Sequence, residues 1–351
     1  MKYLLYGANG YTGELIARYS KQAGLTPLLA GRNEPAVKAV AKRYGHPHLV
    51  FDLSETEKLD NALREVPVVL HAAGPFVHTA RPMMEACLRT GTHYLDITGE
   101  IAVFEMAHRL GSRAEKAGVM LLPGAGFDVV PSDCLALYLK KKLPEATHLK
   151  LAMALMGGHM SHGTALTMAE NLGEGGAVRK DGKIVKVSLG HKTLHFMAGG
   201  RQIFAMTIPW GDVSTAYYST GIPNIEVYTG IKPSAYPAIR RMRYLNWLLR
   251  TGFVRGFVSS RIKRRPPGPS DEQRETSRSY FWGEVTAPDG NSFQATLETP
   301  EGYTLTALTG LLLVKKVLQG QFKTGFQTPA LAYGEDLVLE VPGVQRSDLN
   351  I

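Results

Sequence analysis

Gly7, Gly10 and Gly13 stand three residues apart, between the apolar run Tyr3-Leu4-Leu5-Tyr6 and the helix-like stretch Glu14-Leu15-Ile16-Ala17. Glycine lets the backbone approach phosphate oxygens closely, and the open N–H groups of a helix start attract negative charge. Gly7, Asn9, Gly10, Tyr11, Thr12 and Gly13 therefore form a candidate cradle for a dinucleotide pyrophosphate. Ala8 occupies the first glycine place of a G-x-G-x-x-G register, so the pattern reads G-x-x-G-x-x-G. Glycine turns of this kind also occur as plain loops; the strand before and the helix after are what give this one weight. After the next apolar run, Thr26-Pro27-Leu28-Leu29-Ala30, comes Arg32, with no Asp or Glu in residues 26–33. An acidic residue there would bind a ribose 2′-OH, whereas Arg accommodates a 2′-phosphate. The expectation is NADP rather than NAD, with Arg32 as phosphate clamp or, alternatively, as a solvated surface arginine. Asp52, after the third strand, suits either the adenine amino group or a helix cap.

A nicotinamide cofactor exchanges hydride, and the acceptor must then take a proton. Asp96, Asp128 and His162 are the candidate catalytic groups. Asp96 and Glu100 flank Ile97-Thr98-Gly99 beyond the fifth strand, where open α/β sheets bind ligands. The competing reading is capping of the following helix by Thr98 and Glu100. Asp128 follows Gly126 and Phe127 and either titrates or caps the helix that Pro131 begins. His162 belongs to a polar cluster, His159, Ser161, His162, Gly163 and Thr164, as a general acid or a loop histidine. His159 and His162 have no third partner of suitable spacing, so no metal site is expected. Ala73, Gly74, Pro75 and Phe76 follow the fourth strand. With Gly126 and Phe127 they are candidates to border the nicotinamide and its ribose, a structural loop being the alternative.

These residues need a frame. Strands are predicted at 2–6, 26–30, 48–52, 67–71, 93–97 and 118–122, and helices at 11–23, 34–44, 56–64, 78–90, 101–117 and 131–142. That alternation calls for an α/β fold: an N-terminal Rossmann doubly wound parallel sheet. Beyond residue 145 the pattern becomes α+β, on a mixed or antiparallel sheet. A strand is predicted at 149–155, a hairpin joining 183–189 to 192–196, and a second hairpin joining 280–286 to 292–299 through Pro288-Asp289-Gly290-Asn291. Residues 302–319 read as an apolar helix. The domains expected are 1–145 for NADP binding, with a C-terminal segment near 302–351 as a candidate to complete it, and 146–301 for substrate and dimerisation.

Several segments together resemble one family. They are Gly7 to Gly13, Ala73-Gly74-Pro75-Phe76, Gly91 to Glu100, Pro123 to Asp133, Gly268 to Arg274 and Gly325 to Ala330. The chain resembles the saccharopine dehydrogenase-like oxidoreductases, more narrowly the branch that includes trans-acting enoyl reductases. The resemblance implies a Rossmann domain, a mixed-sheet second domain, a pyridine nucleotide and often a homodimer. It names no substrate, because the family uses C=N, C=O and C=C acceptors. The expected activity is NADP-dependent hydride transfer to an enoyl or carbonyl group of a small or lipid-like substrate. An amino-acid or imine dehydrogenase of saccharopine type is the alternative, and a non-catalytic nucleotide-binding sensor or scaffold a third reading.

Composition bounds the rest. The 351 residues are 44% hydrophobic and 20% charged, ordinary for a globular protein. Two cysteines, Cys87 and Cys134, imply neither a disulfide framework nor a zinc site and read as buried apolar residues. No signal peptide or bilayer-spanning run is recognised, so a cytoplasmic location is the default. The net charge of +9 is local: residues 231–265 hold ten Lys or Arg and no Asp or Glu, leaving −1 for the remainder. Aromatic and aliphatic residues interleave these charges. The pattern suits peripheral membrane or lipid contact, a dimer interface or a solvated basic face. No motif for nucleic acid accompanies it, and no nucleic-acid partner is expected.

Overall fold

The computed structural model describes residues 1–157, 160–262, 264 and 266–349. The chain runs β1 (Lys2–Tyr6), α1 (Tyr11–Ser20), β2 (Thr26–Gly31), α2 (Glu34–Tyr44), β3 (His48–Val50), α3 (Thr56–Arg64), β4 (Val68–His71), α4 (Phe76–Thr90), β5 (His93–Asp96), α5 (Ile101–Lys116) and β6 (Met120–Leu122). It continues through α6 (Val130–Lys142), β7 (His148–Met156), α7 (His162–Glu170), β8 (Gly176–Lys180), β9 (Lys183–Val187), β10 (Thr193–Ala198), β11 (Arg201–Thr207), α8 (Asp212–Thr220) and β12 (Asn224–Gly230). Then follow α9 (Tyr236–Met242), α10 (Asn246–Leu249), α11 (Gly252–Ile262), α12 (Asp271–Thr276), β13 (Arg278–Thr286), β14 (Ser292–Pro300), α13 (Gly302–Leu318), β15 (Gly325–Phe326), α14 (Pro329–Tyr333) and β16 (Gln345–Leu349).

Two compact units result: Met1–Val130 with Tyr303–Ala332, and Pro131–Gly302 with Tyr333–Ile351. The first is built on a seven-stranded sheet, ordered β15-β6-β5-β4-β1-β2-β3. Every pairing in it is parallel. Parallel strands are covered on both faces, which is why β1 and β4 read as unbroken apolar runs rather than alternating ones; Leu4, Leu5, Val68, Val69 and Leu70 are fully buried. The strand order reverses direction between β1 and β4, so the loops after these two strands lie side by side. Local signals set the helix ends: Asn33 Oδ1 accepts from Ala36 N at 3.2 Å at the start of α2, and Gly45 and Gly91 close α2 and α4 in the left-handed conformation. The segment after β14 returns to this sheet, where α13 lays Gly310 against Leu70 and β15 pairs with β6. The sequence reading placed the domain boundary at 145; the units divide at Val130.

The second unit carries a nine-stranded mixed sheet, β10-β11-β12-β7-β13-β14-β16, with β8 paired to β12 and β9 to β8. The β12–β7 pair is parallel; the others are antiparallel. The hairpin around residues 288–291 forms as read, with Thr286 opposite Ser292. The hairpin expected from 183–189 and 192–196 does not form. Instead β9 pairs with β8 through Asp181-Gly182, and β10 pairs with β11 through Gly199-Gly200. Both central residues of each turn have positive φ: 48° and 76° in the first, 53° and 72° in the second. That is the type I′ twist that matches paired strands, so each run turns back on its own nearest neighbour.

Candidate functional site

The glycine loop leaves β1 and is tied to β2, where Gly7 N and Ala8 N both donate to Ala30 O, at 2.8 and 3.2 Å. Gly7 has φ +89°, and a Cβ on it would lie 2.7 Å from Ala72 C and Ala73 N, backbone atoms of the loop after β4. A Cβ on Gly13 would lie 2.2 Å from Gly7 O. These two positions admit only glycine if the loop is to keep its path. Gly10 caps α1 without a side-chain hydrogen bond, so no capping side chain stands before the helix start. Asn9 reaches the end of β2, so a Cβ on Gly31 would meet its Oδ1 at 2.8 Å. Tyr11 and Thr12 begin α1, and the Tyr11 ring meets Tyr303 of α13 edge-on at 5.1 Å. The cradle thus has the narrow, side-chain-free walls that a pyrophosphate requires.

Arg32 is exposed just beyond β2, and its charge acts on both Tyr6 and Asp52. Asp52 caps no helix. Its Oδ1 accepts from Ser54 N at 3.0 Å and Ser54 Oγ at 2.8 Å. Those bonds, helped by Arg32, hold its carboxyl below the usual range.

The loop of Ala73, Gly74 and Pro75 leads into Phe76, the first residue of α4. Thr79 of α4 secures it, donating to Ala73 O at 2.7 Å. Glu100 does something the sequence did not suggest: Phe76 N and Val77 N both donate to its carboxylate, at 2.8 Å each. Glu100 therefore caps α4 from 24 residues away rather than serving the first turn of its own helix. Thr98 Oγ1 accepts from Glu100 N at 3.1 Å. His71, at the end of β4, was also missed. It is fully buried, donates through Nε2 to Thr79 Oγ1 at 3.0 Å, and meets the Phe76 ring edge-on. Burial lowers its pKa to about 3, so it stays neutral at working pH.

Asp96 lies fully buried at the end of β5. Tyr94 Oη donates to its Oδ2 at 2.6 Å, and Thr98 N and Gly124 N donate to its Oδ1 at 2.9 Å each. It clips the end of β5 to the loop after β6. Burial outweighs these donors and raises its pKa to about 7, with the Glu100 charge adding to the rise. Asp128 stands in that same loop, partly exposed, and a Cβ on Gly99 would meet its Oδ2 at 2.7 Å. Burial first, and Glu100 second, raise its pKa to about 7. Helix α13 supports the loop: Phe127 N donates to Thr306 Oγ1 at 3.0 Å, and Thr309 donates to Ala125 O at 2.9 Å. Thr306 also packs against Gly126. The three threonines within the apolar run at 302–319 were the available signal for this.

The structure therefore brings Asp96, Glu100, Asp128, Phe76, Gly126 and Phe127 to one edge of the first sheet, at the C-terminal ends of its strands. His162 is the first residue of α7, in the second unit; its N donates to Pro267 O at 3.0 Å, and Ser161 caps the helix through Thr164 N. His159 lies outside the described residues. Cys87 and Cys134 are buried, and burial pushes both thiols up. Among the described residues no helix is long and apolar enough to cross a membrane.

Residues 3–122 match the family described as the saccharopine dehydrogenase NADP binding domain. Over 160 residues the chain is 28% identical to a saccharopine dehydrogenase-like oxidoreductase of Mus musculus, a match covering 40% of this chain and 37% of that protein. Over 153 residues it is 32% identical to a trans-acting enoyl reductase of Mycobacterium leprae, covering 40% and 36%. The chain thus matches well under half the length of these relatives. Apo histidine-tagged saccharopine dehydrogenase (L-Glu forming) from Saccharomyces cerevisiae superposes with a TM-score of 0.71 at 13% identity, a likeness of fold covering 99% of this chain and 100% of that one. With a seven-stranded parallel sheet, a glycine cradle at its switch point and these matches, residues 3–122 carry a saccharopine dehydrogenase NADP binding domain, and the chain shares the fold of saccharopine dehydrogenase.

Proposed function

We propose that the protein reduces an enoyl or carbonyl group of a small or lipid-like substrate, with Asp128 holding the proton that the acceptor needs. Bound NADPH supplies the hydride. The observation that carries this reading is the place of the Asp128 carboxyl, partly exposed at the strand ends and close against Gly99; burial and the Glu100 charge push its pKa up to about 7. A group that holds its proton up to neutrality yet releases it readily is suited to general acid work. Asp96 acts through geometry, as a positioning residue that fixes the loop bearing Asp128. The likeness to a trans-acting enoyl reductase supports a C=C acceptor.

The test is a panel of enoyl, keto and imino compounds, followed by loss of NADPH absorbance. Turnover of an enoyl or keto compound is expected, and Asp128→Asn should lower kcat roughly 10²–10⁴-fold while leaving NADPH affinity intact. Full turnover by that variant would remove Asp128 from the chemistry, and turnover of imino compounds alone would favour the amino-acid dehydrogenase reading.

Arg32 serves, in the same reading, as the 2′-phosphate clamp. Losing one charge-assisted contact of this kind weakens binding about 10–100-fold. Arg32→Ala should therefore raise the NADPH Kd by that factor and leave NADH binding unchanged. An unchanged NADPH-to-NADH ratio would count against the clamp.

A further inference from the structure

The most exposed apolar side chains of the described chain lie together. Phe253 is 85% exposed, Trp247 71% and Tyr244 67%, the three highest among the described large apolar side chains, and Phe257 in the same stretch is 57% exposed. Phe253 and Phe257 are four apart on α11 and so share one face. Aromatic rings held in water over a stretch of fourteen residues need an explanation that a lone surface residue does not.

The same stretch carries the charge. Arg240 and Arg241 end α9, Arg243 follows, and Arg261 lies near the end of α11. These guanidinium groups stay beside the rings: Arg243 lies 4.7 Å from the Tyr244 centroid and Arg261 5.2 Å from that of Phe257. Arg250 and Arg255 turn inward and donate to Gly173 O and Leu172 O, which fastens the segment to the unit. Lys263 and Arg265 lie outside the described residues. Residues 231–265 contain no acidic residue at all.

We infer that residues 236–262 form a docking surface for an anionic lipid bilayer. Trp, Tyr and Phe settle at the boundary between headgroups and acyl chains, and arginine meets lipid phosphates just above them. A second copy of this chain is a poor occupant. A two-fold interface would set the same patch against itself, placing Arg240, Arg241 and Arg243 opposite like charges, while the Glu174 carboxylate beside the segment is already engaged by Arg255 and Arg250.

Co-sedimentation of the full chain with vesicles tests this without any substrate. Vesicles containing about 30 mol% phosphatidylglycerol should pellet the protein and pure phosphatidylcholine should not, with the binding lost as NaCl rises from about 50 to about 500 mM. Arg240→Gln, Arg241→Gln and Arg243→Gln should each weaken binding roughly fivefold. Phe253→Ser with Phe257→Ser should abolish it, and circular dichroism should remain that of the parent because both rings are exposed. Vesicle binding should also shift tryptophan emission to the blue, and Trp247→Phe should lose that shift while still pelleting. Equal binding to both vesicle types, no binding to either, or preference for a single-stranded oligonucleotide would overturn the inference. So would a concentration-dependent dimer that Phe253→Ser with Phe257→Ser dissociates while vesicles bind nothing.

Discussion

Replacing Asp96 with alanine should lower the unfolding free energy by roughly 3–5 kcal/mol near pH 5, because three buried donors lose their acceptor at about 1–3 kcal/mol each. Those donors are Tyr94 Oη, Thr98 N and Gly124 N. Asparagine behaves differently. Its carbonyl still accepts from both N–H groups, and its amide faces a hydroxyl that can accept, so Asp96→Asn should cost about 1 kcal/mol. The pH dependence separates the two effects. The folded pKa of Asp96 is raised to about 7, above the ordinary carboxylate value of the unfolded chain. The stability this group contributes is therefore fully present below about pH 4 and is lost as pH climbs towards 7, at no more than about 1.4 kcal/mol per pH unit. Urea unfolding between pH 4.5 and 7.5 should show the parent losing stability faster than Asp96→Asn, and the penalty of Asp96→Ala shrinking across the same window. Parallel curves for parent and asparagine variant would mean that Asp96 does not titrate there.

Asp96 also illustrates what sequence could and could not convey. From β1 to β6 the elements were legible to within three residues at their ends, because central parallel strands are uninterrupted apolar runs and helices such as α2 and α4 carry their own stops, Gly45 and Gly91; β15 and α14 were not read. The second unit was harder. The strands β8, β11, β12 and β16 were not read, and reading apolar runs without weighing Asp181-Gly182 and Gly199-Gly200 joined two strands that belong to separate hairpins. The candidate site divides in the same way. The glycine cradle is local and readable from spacing. Glu100 capping α4, and Thr306 and Thr309 holding the loop of Asp128, are contacts between residues 23 to 184 positions apart, which no local pattern encodes. The proposed function draws on both kinds, with the cradle as the cofactor's place and the long-range contacts fixing the loop of Asp128.

The cradle itself should tolerate change least at Gly13. Alanine there puts Cβ 2.2 Å from Gly7 O and 2.9 Å from Ala8 Cα, both backbone atoms that no rotamer change can move aside. Relief requires α1 to slide away from the loop, and in the phosphate-binding reading the start of α1 supplies the N–H groups that meet the pyrophosphate. Overpacking of this kind costs about 1–3 kcal/mol of stability. The loss of affinity should be larger in proportion, because a displaced helix start weakens several phosphate contacts together. An NADPH Kd at least about 100-fold higher is expected, corresponding to about 2.8 kcal/mol. Gly10→Ala provides the contrast. Its backbone is extended, with φ −79°, and its Cβ would sit 3.3 Å from Gly7 O, a gap that a few tenths of an ångström would ease. It should weaken NADPH no more than about tenfold and leave the melting temperature within a few degrees of the parent. Fluorescence titration of NADPH against both variants decides the matter. If Gly13→Ala bound as tightly as Gly10→Ala, close packing between α1 and the loop would not be what presents the N–H groups, and the phosphate-binding reading of residues 7–13 would lose its geometric basis.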